Sequence, residues 1–224
     1  MAFPVIEGST TGSQADTVGT NVTVSFSGTA VAGELLLVWI HTDKNRAHGW
    51  PGSWVEEYEQ DLSPSGSGVS ALGTLTAVGG ETSIVVNRGG DDDEVVWASW
   101  RISGWNAFEF ANSSGVSDPS PDPPSLTPTW GAKDTLWIAM CGNDNDAVTA
   151  GPASYSSFTA VSESDANMGF AYRELNAATE DPGAFTISGD EWNAMTFAVE
   201  PSGAAPATSL PVDPGKPFNH MIIR

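Results

Sequence analysis

Residues 35–40 read Leu35-Leu36-Leu37-Val38-Trp39-Ile40, a continuous apolar run. Such a run is typical of a β-strand that is covered on both faces. The run and its surroundings recur about one hundred residues later, where residues 33–40 are matched by 133–140, 50–54 by 151–155, and 70–104 by 168–200. A repeat of this length indicates that one supersecondary unit was duplicated.

Short apolar or alternating segments separated by turn residues continue along most of the chain. Glycine (24) and proline (15) are frequent, and only 16% of the residues are charged. This pattern predicts an all-β protein, a jelly-roll-like antiparallel β-sandwich built from the two internal repeats. The predicted strands are 21–26, 35–41, 55–60, 69–78, 82–87, 95–102, 126–130, 135–141, 158–162, 169–175, 184–188 and 193–200.

The domain organisation follows from the same pattern. Residues 1–200 are expected to form the sandwich, with repeats at about 21–104 and 125–200 and a proline-rich connector at 118–124. Residues 1–20 read as an extended arm or a weak edge strand. One sandwich shared by both repeats is favoured over two in tandem, because each half holds only about 80 residues. Residues 201–224 predict an extended linker and an anchoring peptide.

Charge and composition exclude several classes of function. The chain carries 28 acidic and 8 basic residues, a net charge of −20. Such a surface disfavours nucleic acid and anionic membranes, which need a basic patch. No apolar run is long enough to span a bilayer, and the lone Cys141 permits no disulfide within the chain. The start of the sequence does not resemble a signal peptide, so we expect synthesis in a cytoplasm.

Three sets of residues are candidate sites. Trp50, Trp54 and Tyr155 are candidate glycan-stacking aromatics, but an aromatic at this place in both repeats favours packing at the end of the sandwich. A weak calcium candidate is the run Asp91, Asp92, Asp93 and Glu94. Residues 189–191 occupy the matching place in the second repeat, and residues 143–146 form another acidic stretch. Polar turns explain all three segments equally well. The C-terminal anchor is predicted at Lys216, Phe218, Met221, Ile222, Ile223 and Arg224.

No catalytic residue is assigned, and no cofactor is expected apart from that possible structural calcium. The sequence contains no nucleophile elbow, no H-E-x-x-H zinc motif and no phosphate-binding loop. We therefore expect a protein that is not an enzyme.

Four segments, 32–38, 101–105, 123–139 and 173–188, resemble a family of uncharacterised phage and prophage proteins that are usually encoded among virion structural genes. The resemblance extends over about residues 20–200. It implies a bacteriophage virion structural protein made in the host cytoplasm. Within that class we expect a capsid decoration (cement) protein that binds major capsid or other virion proteins, because an acidic, disulfide-free sandwich with extended anchoring termini suits that role. Symmetric assembly is expected for that class, and we expect a trimer. The alternative is a glycan-binding module of a tail or head fibre that attaches to host surface glycan.

Overall fold

The structure is a computed structural model that describes residues 1–15, 19–62, 68–90 and 93–203, apart from the side chain of Ser117. These residues form β-strands and turns, and none of their elements is a helix able to cross a membrane. The strands are β1 (Val5–Gln14), β2 (Asn21–Ser25), β3 (Leu35–Thr42), β4 (Val55–Asp61), β5 (Val69–Thr76), β6 (Ser83–Asn87), β7 (Val95–Ser103), β8 (Trp105–Asp118), β9 (Lys133–Asp144), β10 (Ser156–Glu163), β11 (Ala166–Ala177) and β12 (Asp190–Pro201). The all-β prediction is confirmed.

The strands form two five-stranded antiparallel sheets with the same internal order. The first sheet runs β1-β7-β3-β5-β4, and the second, read from β8, runs β8-β12-β9-β11-β10. Position by position, β3 corresponds to β9, β5 to β11 and β7 to β12 in chain order. The duplication seen in the sequence is therefore a duplication of sheet topology. A two-stranded ribbon, β2-β6, completes the first unit.

The two sheets pack face to face through one apolar cluster. Its members from the first sheet include Leu37, Trp39 and Trp100, and those from the second include Ile138 and Phe197. Trp100 meets Phe170 edge-on, with ring centroids 4.9 Å apart. The sandwich is therefore shared by both units, because neither unit covers its own inner face.

Contacts along the two edges of the sandwich show how the units are related. On one edge β1 faces β10, where the Ser13 hydroxyl donates to Glu163 at 2.7 Å. On the other edge β4 faces β8, where Gln60 donates to Ser114 at 3.3 Å. Since β1 corresponds to β8 and β4 to β10, each contact is the counterpart of the other. A two-fold axis parallel to the strands generates this arrangement, as in an isologous dimer.

The outer faces of the sheets are covered by different means. The ribbon β2-β6 lies over the first sheet, where Val24 and Val86 pack against Val38 and Ile40. Irregular segments around Leu126 and residues 185–187 cover the second sheet. The central strands are thus buried on both faces, which explains the continuous apolar runs from which the fold was predicted.

The register of the repeat differs by one residue from the alignment of 33–40 with 133–140. Leu35 and Leu37 face the shared core in the first sheet, and their counterparts in the second are Leu136 and Ile138. Equivalent residues of β3 and β9 are therefore 101 positions apart, the same separation as in the alignment of residues 50–54 with 151–155. A shift of one residue would turn every side chain of the strand to the wrong face.

Two predicted strands are wrong, one observed strand, β8, was not predicted, and the edge-strand alternative for the N-terminal residues is confirmed. Segments 126–130 and 184–188 form only single bridges, Leu126 to Glu180 and Thr186 to Ala150. Prolines in the first segment and just before the second limit the backbone donors available for a ladder. Conversely, the N-terminal arm is a full edge strand, β1, and β8 follows directly after β7. The jelly-roll connectivity stays a prediction.

Gly142 lies where the two sheets approach closely, and its substitution tests this packing. A Cβ on Gly142 of β9 would lie 2.6 Å from the Ser70 hydroxyl oxygen and 3.0 Å from His41 Nδ1, both in the first sheet. We expect Gly142→Ala to lower the free energy of unfolding by about 1–3 kcal/mol through overpacking, measured by urea denaturation. Gly203→Ala, where nothing lies within 4 Å, is the control. Equal stability of both variants would contradict the packing described.

Candidate functional site

The predicted C-terminal anchor lies outside the described residues. Lys216, Phe218, Met221, Ile222, Ile223 and Arg224 all fall beyond Gly203, and Asp91 and Asp92 of the calcium candidate are likewise outside. The assignments made to these residues stay predictions. Asp93 and Glu94 are described.

Trp50 and Trp54 pack on the outer face of the first sheet. Trp54 stacks on Phe26 with ring centroids 6.1 Å apart and an interplanar angle of 9°. Trp50 in turn stacks on Trp54 at 5.9 Å. Gly73 of β5 makes room for this pair, because a Cβ there would lie 2.2 Å from the Trp50 ring. The two tryptophans are half-buried parts of a core cluster.

Tyr155 lies on the opposite side of the sandwich, over the outer face of the second sheet. The Arg173 guanidinium sits 5.6 Å from the centre of its ring and also binds Glu180 at 2.9 Å. Tyr155 therefore occupies the place in the second unit that Trp54 occupies in the first. The structure does not bring the three predicted glycan-stacking residues into one platform.

A nucleophile-and-base pair does exist, but it lies in the core. The His41 ring nitrogen Nδ1 and the Ser70 hydroxyl are 3.0 Å apart, and both residues have no exposed surface. Burial, followed by the nearby His48, lowers the pKa of His41 to about 3. Buried between the two sheets, this pair cannot contact a substrate.

A shallow cavity of about 420 Å³ lies at the end of the sandwich where β3 begins. Its lining includes Glu7, Glu34, Arg101 and Ser103. Arg101 is bound by Glu34 at 3.4 Å and also donates to the carbonyl of Thr29, while Ser103 donates to Glu7 at 2.6 Å. Arg101 and Ser103 in this cavity are thus already bound by other groups of the protein.

Acidic side chains converge at the other end, where β3 and β9 finish. Asp43 follows β3, and its counterpart 101 residues later, Asp144, ends β9. Ile102 of β7 pairs with Leu35, and Val199 of β12 pairs with Leu136, the counterpart of Leu35. Ile102 and Val199 are therefore equivalent, and they are 97 residues apart. The same separation makes Glu191 the counterpart of Glu94. The two-fold relation therefore brings two equivalent Asp–Glu pairs to one place.

We call this group the end cluster: Asp43, Glu94, Asp144, Asp165, Asp190 and Glu191. Carboxylate oxygens of Asp144, Asp190 and Glu191 all lie within 4.8 Å of one another. The backbone amide of Asp43 donates to the Glu94 carbonyl at 3.1 Å, and that of Asn145 to the Asp165 carbonyl at 2.8 Å. These bonds hold the loops of both units against the cluster.

The charges in the end cluster are mutually unfavourable. Burial raises the pKa of Asp144 to about 7, aided by the negative charges of Asp43 and Asp190. Burial and Glu94 raise the pKa of Asp43 to about 6, against a smaller opposing effect of Lys44. The cluster is thus a place where the folded chain disfavours its own ionised carboxylates.

The neighbouring Asp93 has a different environment. Lys44 and Arg46 approach its carboxylate at 3.9 and 3.6 Å. The positions corresponding to these two cations in the second unit are Asn145 and Ala147, which carry no charge. The second unit therefore has the acidic residues of the first at equivalent positions, but it has uncharged residues where the first unit has Lys44 and Arg46.

Sequence reasoning identified part of this site. Segments 91–94, 143–146 and 189–191 were recognised as acidic, but each was treated as a separate turn. Asp43 was missed, and nothing in the local pattern shows that the ends of β3 and β9 meet. The signal that could have found it was the 101-residue separation, which pairs Asp43 with Asp144.

No family model, no curated protein and no solved structure matches this chain. The phage-protein resemblance of the four sequence segments therefore remains an expectation, and the functional argument depends on the geometry of the chain itself.

The tryptophan stack generates a prediction that separates packing from surface recognition. Trp54→Ala should lower the free energy of unfolding by about 2 kcal/mol or more, because the outer face of the first sheet loses its cover. Trp54→Phe, which retains a ring on Phe26, should recover most of that loss. Urea denaturation followed by tryptophan fluorescence measures both. An Ala variant as stable as the parent would instead favour an exposed binding role.

The raised pKa of Asp144 predicts a pH-dependent effect of its substitution. A carboxyl whose folded pKa lies above its unfolded value stabilises the fold below about pH 4, and this contribution is lost as pH rises through about 7. Asp144→Asn should therefore gain stability relative to the parent between about pH 5 and pH 8, measured by urea denaturation in EDTA.

Glu81→Gln is the matched control for that series. The pKa of Glu81 is lowered, because burial, which by itself would raise it, is outweighed by hydrogen bonds from the backbone amides of Val78, Gly79 and Glu81 itself. Its stability difference from the parent should not change over the same pH range. Parallel pH curves for Asp144→Asn and the parent would contradict the electrostatics of the end cluster.

Proposed function

We propose that this protein is a bacteriophage virion structural protein, a capsid decoration protein that attaches to the particle through its C-terminal peptide. The observation that carries the proposal is the completeness of the described sandwich. Both faces of the central strands are covered by residues before 204. We infer that the apolar side chains within residues 218–223 serve contact with another molecule, because the described residues already cover both faces of the central strands.

The chemistry of the C-terminal segment contrasts with that of the sandwich. Lys216 and Arg224 are two of only 8 basic residues in a chain of net charge −20, and they flank the apolar residues. The described chain reaches this segment from β12, where the Ser202 amide donates to the Gly104 carbonyl at 2.7 Å. An anchoring peptide needs an attachment point that is held in place, here Ser202. It also needs a chemistry that differs from the acidic sandwich, here apolar residues flanked by basic ones.

A non-enzymatic role agrees with the rest of the molecule. The one serine–histidine pair described above is enclosed in the core, and Arg101 in the cavity is neutralised by Glu34. The acidic surface favours solubility and keeps copies apart before assembly. We further propose that the decorating unit is a homo-oligomer, a trimer, and that its partner is the major capsid protein.

The fibre-type glycan module is the weaker proposal. Its three aromatic residues lie on two opposite faces of the sandwich and are occupied with packing. The decoration proposal needs none of them.

The experiment is a truncation. Deleting residues 217–224 should leave the thermal unfolding temperature unchanged, because the described residues cover both faces of the central strands by themselves. It should abolish incorporation into particles of the encoding phage or prophage. Incorporation is measured by co-sedimentation with purified capsids, and oligomer mass by light scattering of both forms.

A matched control distinguishes the anchor from general surface hydrophobicity. Val78, which is 82% exposed on the sandwich, is changed to Ser, and this variant should bind capsids normally. Normal incorporation of the truncated chain would overturn the anchoring proposal. A truncated chain that unfolds would show that the segment belongs to the fold instead.

A further inference from the structure

Asp144 carries a buried carboxylate oxygen that the described residues leave without a hydrogen bond. The residue is only 7% exposed, and its Oδ1 atom has no hydrogen-bond partner within the described part of the chain. Asp43, the side chain that Asp144 does meet at hydrogen-bond distance, is another carboxyl and can donate only when it is protonated. Leaving a buried charged oxygen unpaired is costly, so such groups in proteins are usually paired or bound to a metal. This orphaned oxygen belongs to a side chain that points into the end cluster.

We propose that the end cluster binds one calcium ion, held between the two repeats by Asp144, Asp190 and Glu191, with Asp43 and Glu94 completing the oxygen shell. Calcium takes six to eight oxygen ligands, mostly from carboxylates, carbonyls and water. This site does not depend on the proposed virion function, and no other described feature of the chain requires it.

The oxygens are close enough together to contact one ion. The carboxylate oxygens of Asp144, Asp190 and Glu191 lie within 4.8 Å of one another, and calcium accepts carboxylate oxygens in a flexible geometry. Magnesium requires shorter distances and a rigid octahedron, so we expect it to bind more weakly.

The charge distribution places the ion on the side of the second unit. Lys44 and Arg46 lie against Asp93, and no counterpart of these cations accompanies Asp190, because Asn145 and Ala147 stand there. A divalent cation would supply in the second unit the positive charge that two basic side chains supply in the first.

Binding would join the ends of the two sheets. Asp43 and Glu94 belong to the first unit, and Asp144, Asp190 and Glu191 to the second. An ion shared among them would cross-link the units at the open end of the sandwich. It would also favour ionised carboxylates at Asp43 and Asp144.

The test is calorimetric titration of the EDTA-treated full chain with calcium chloride at about pH 8. We expect one saturable site and a rise in the thermal unfolding temperature on adding calcium. Asp144→Asn should bind at least tenfold more weakly. In EDTA the same variant should be at least as stable as the parent, because a neutral amide replaces an unpaired charge.

Asp122→Asn is the matched control. Asp122 also lies near other acids, Asp118 and Asp181, but it is exposed, and its substitution changes the net charge by the same amount. It should leave calcium affinity unchanged. Should both variants weaken binding equally, the effect would be general attraction to an acidic protein, and the site would be refuted.

Other outcomes also decide the matter. Absence of saturable heat up to about 10 mM calcium would overturn the proposal, as would parent-like binding by Asp144→Asn. If Asp144→Asn fails to fold, the carboxylate has a partner within the protein, which contradicts the orphaned oxygen. Glu191→Gln, on the partly exposed side of the cluster, then tests binding independently and should also weaken it at least tenfold.

Discussion

Mutual burial of the inner faces of the two five-stranded sheets is the constraint on which the other features depend. Each unit leaves one apolar face uncovered, and Trp100 of one sheet packs on Phe170 of the other. Burial of apolar area is the dominant favourable term in folding, so the units are stable as a pair. The same requirement fixes the register of β3 and β9, because only alternate residues reach the shared interface.

Because a two-fold axis relates the duplicated units, equivalent charged residues of the two units lie close together near that axis. Asp43 and Asp144 occupy equivalent positions, so the arrangement that joins the apolar faces also brings the acids together. Burial raises the pKa of both carboxyls, aided by Glu94 at Asp43 and by Asp43 at Asp144. Elsewhere the units have diverged where identical residues would collide, as where Gly142 faces the position of its counterpart, His41. The end cluster therefore follows from the symmetry of the fold.

Sequence patterns predicted the buried central strands and also the exposed edge strands β4 and β10, but β8 was not predicted, and β1 was predicted only as one of two alternatives. β3, β7, β9 and β12 lie in the middle of their sheets and were recognised from apolar runs alone. β1 and β8 are edge strands with mixed Ser, Thr, Gly and Asn composition, so neither gives a strong two-residue period. The proline-containing segments near Leu126 and Thr186 cover a sheet without joining one.

The sequence by itself determined the all-β class, the duplication and the acidic character of the chain, because these follow from local periodicity and composition. Only the tertiary structure decided which faces meet, that Trp50 and Tyr155 lie on opposite sides, and that Asp43, Asp144 and Glu191 converge. Local pattern fixes which side of a strand is apolar, whereas contacts between residues a hundred positions apart depend on how two sheets are rotated onto each other.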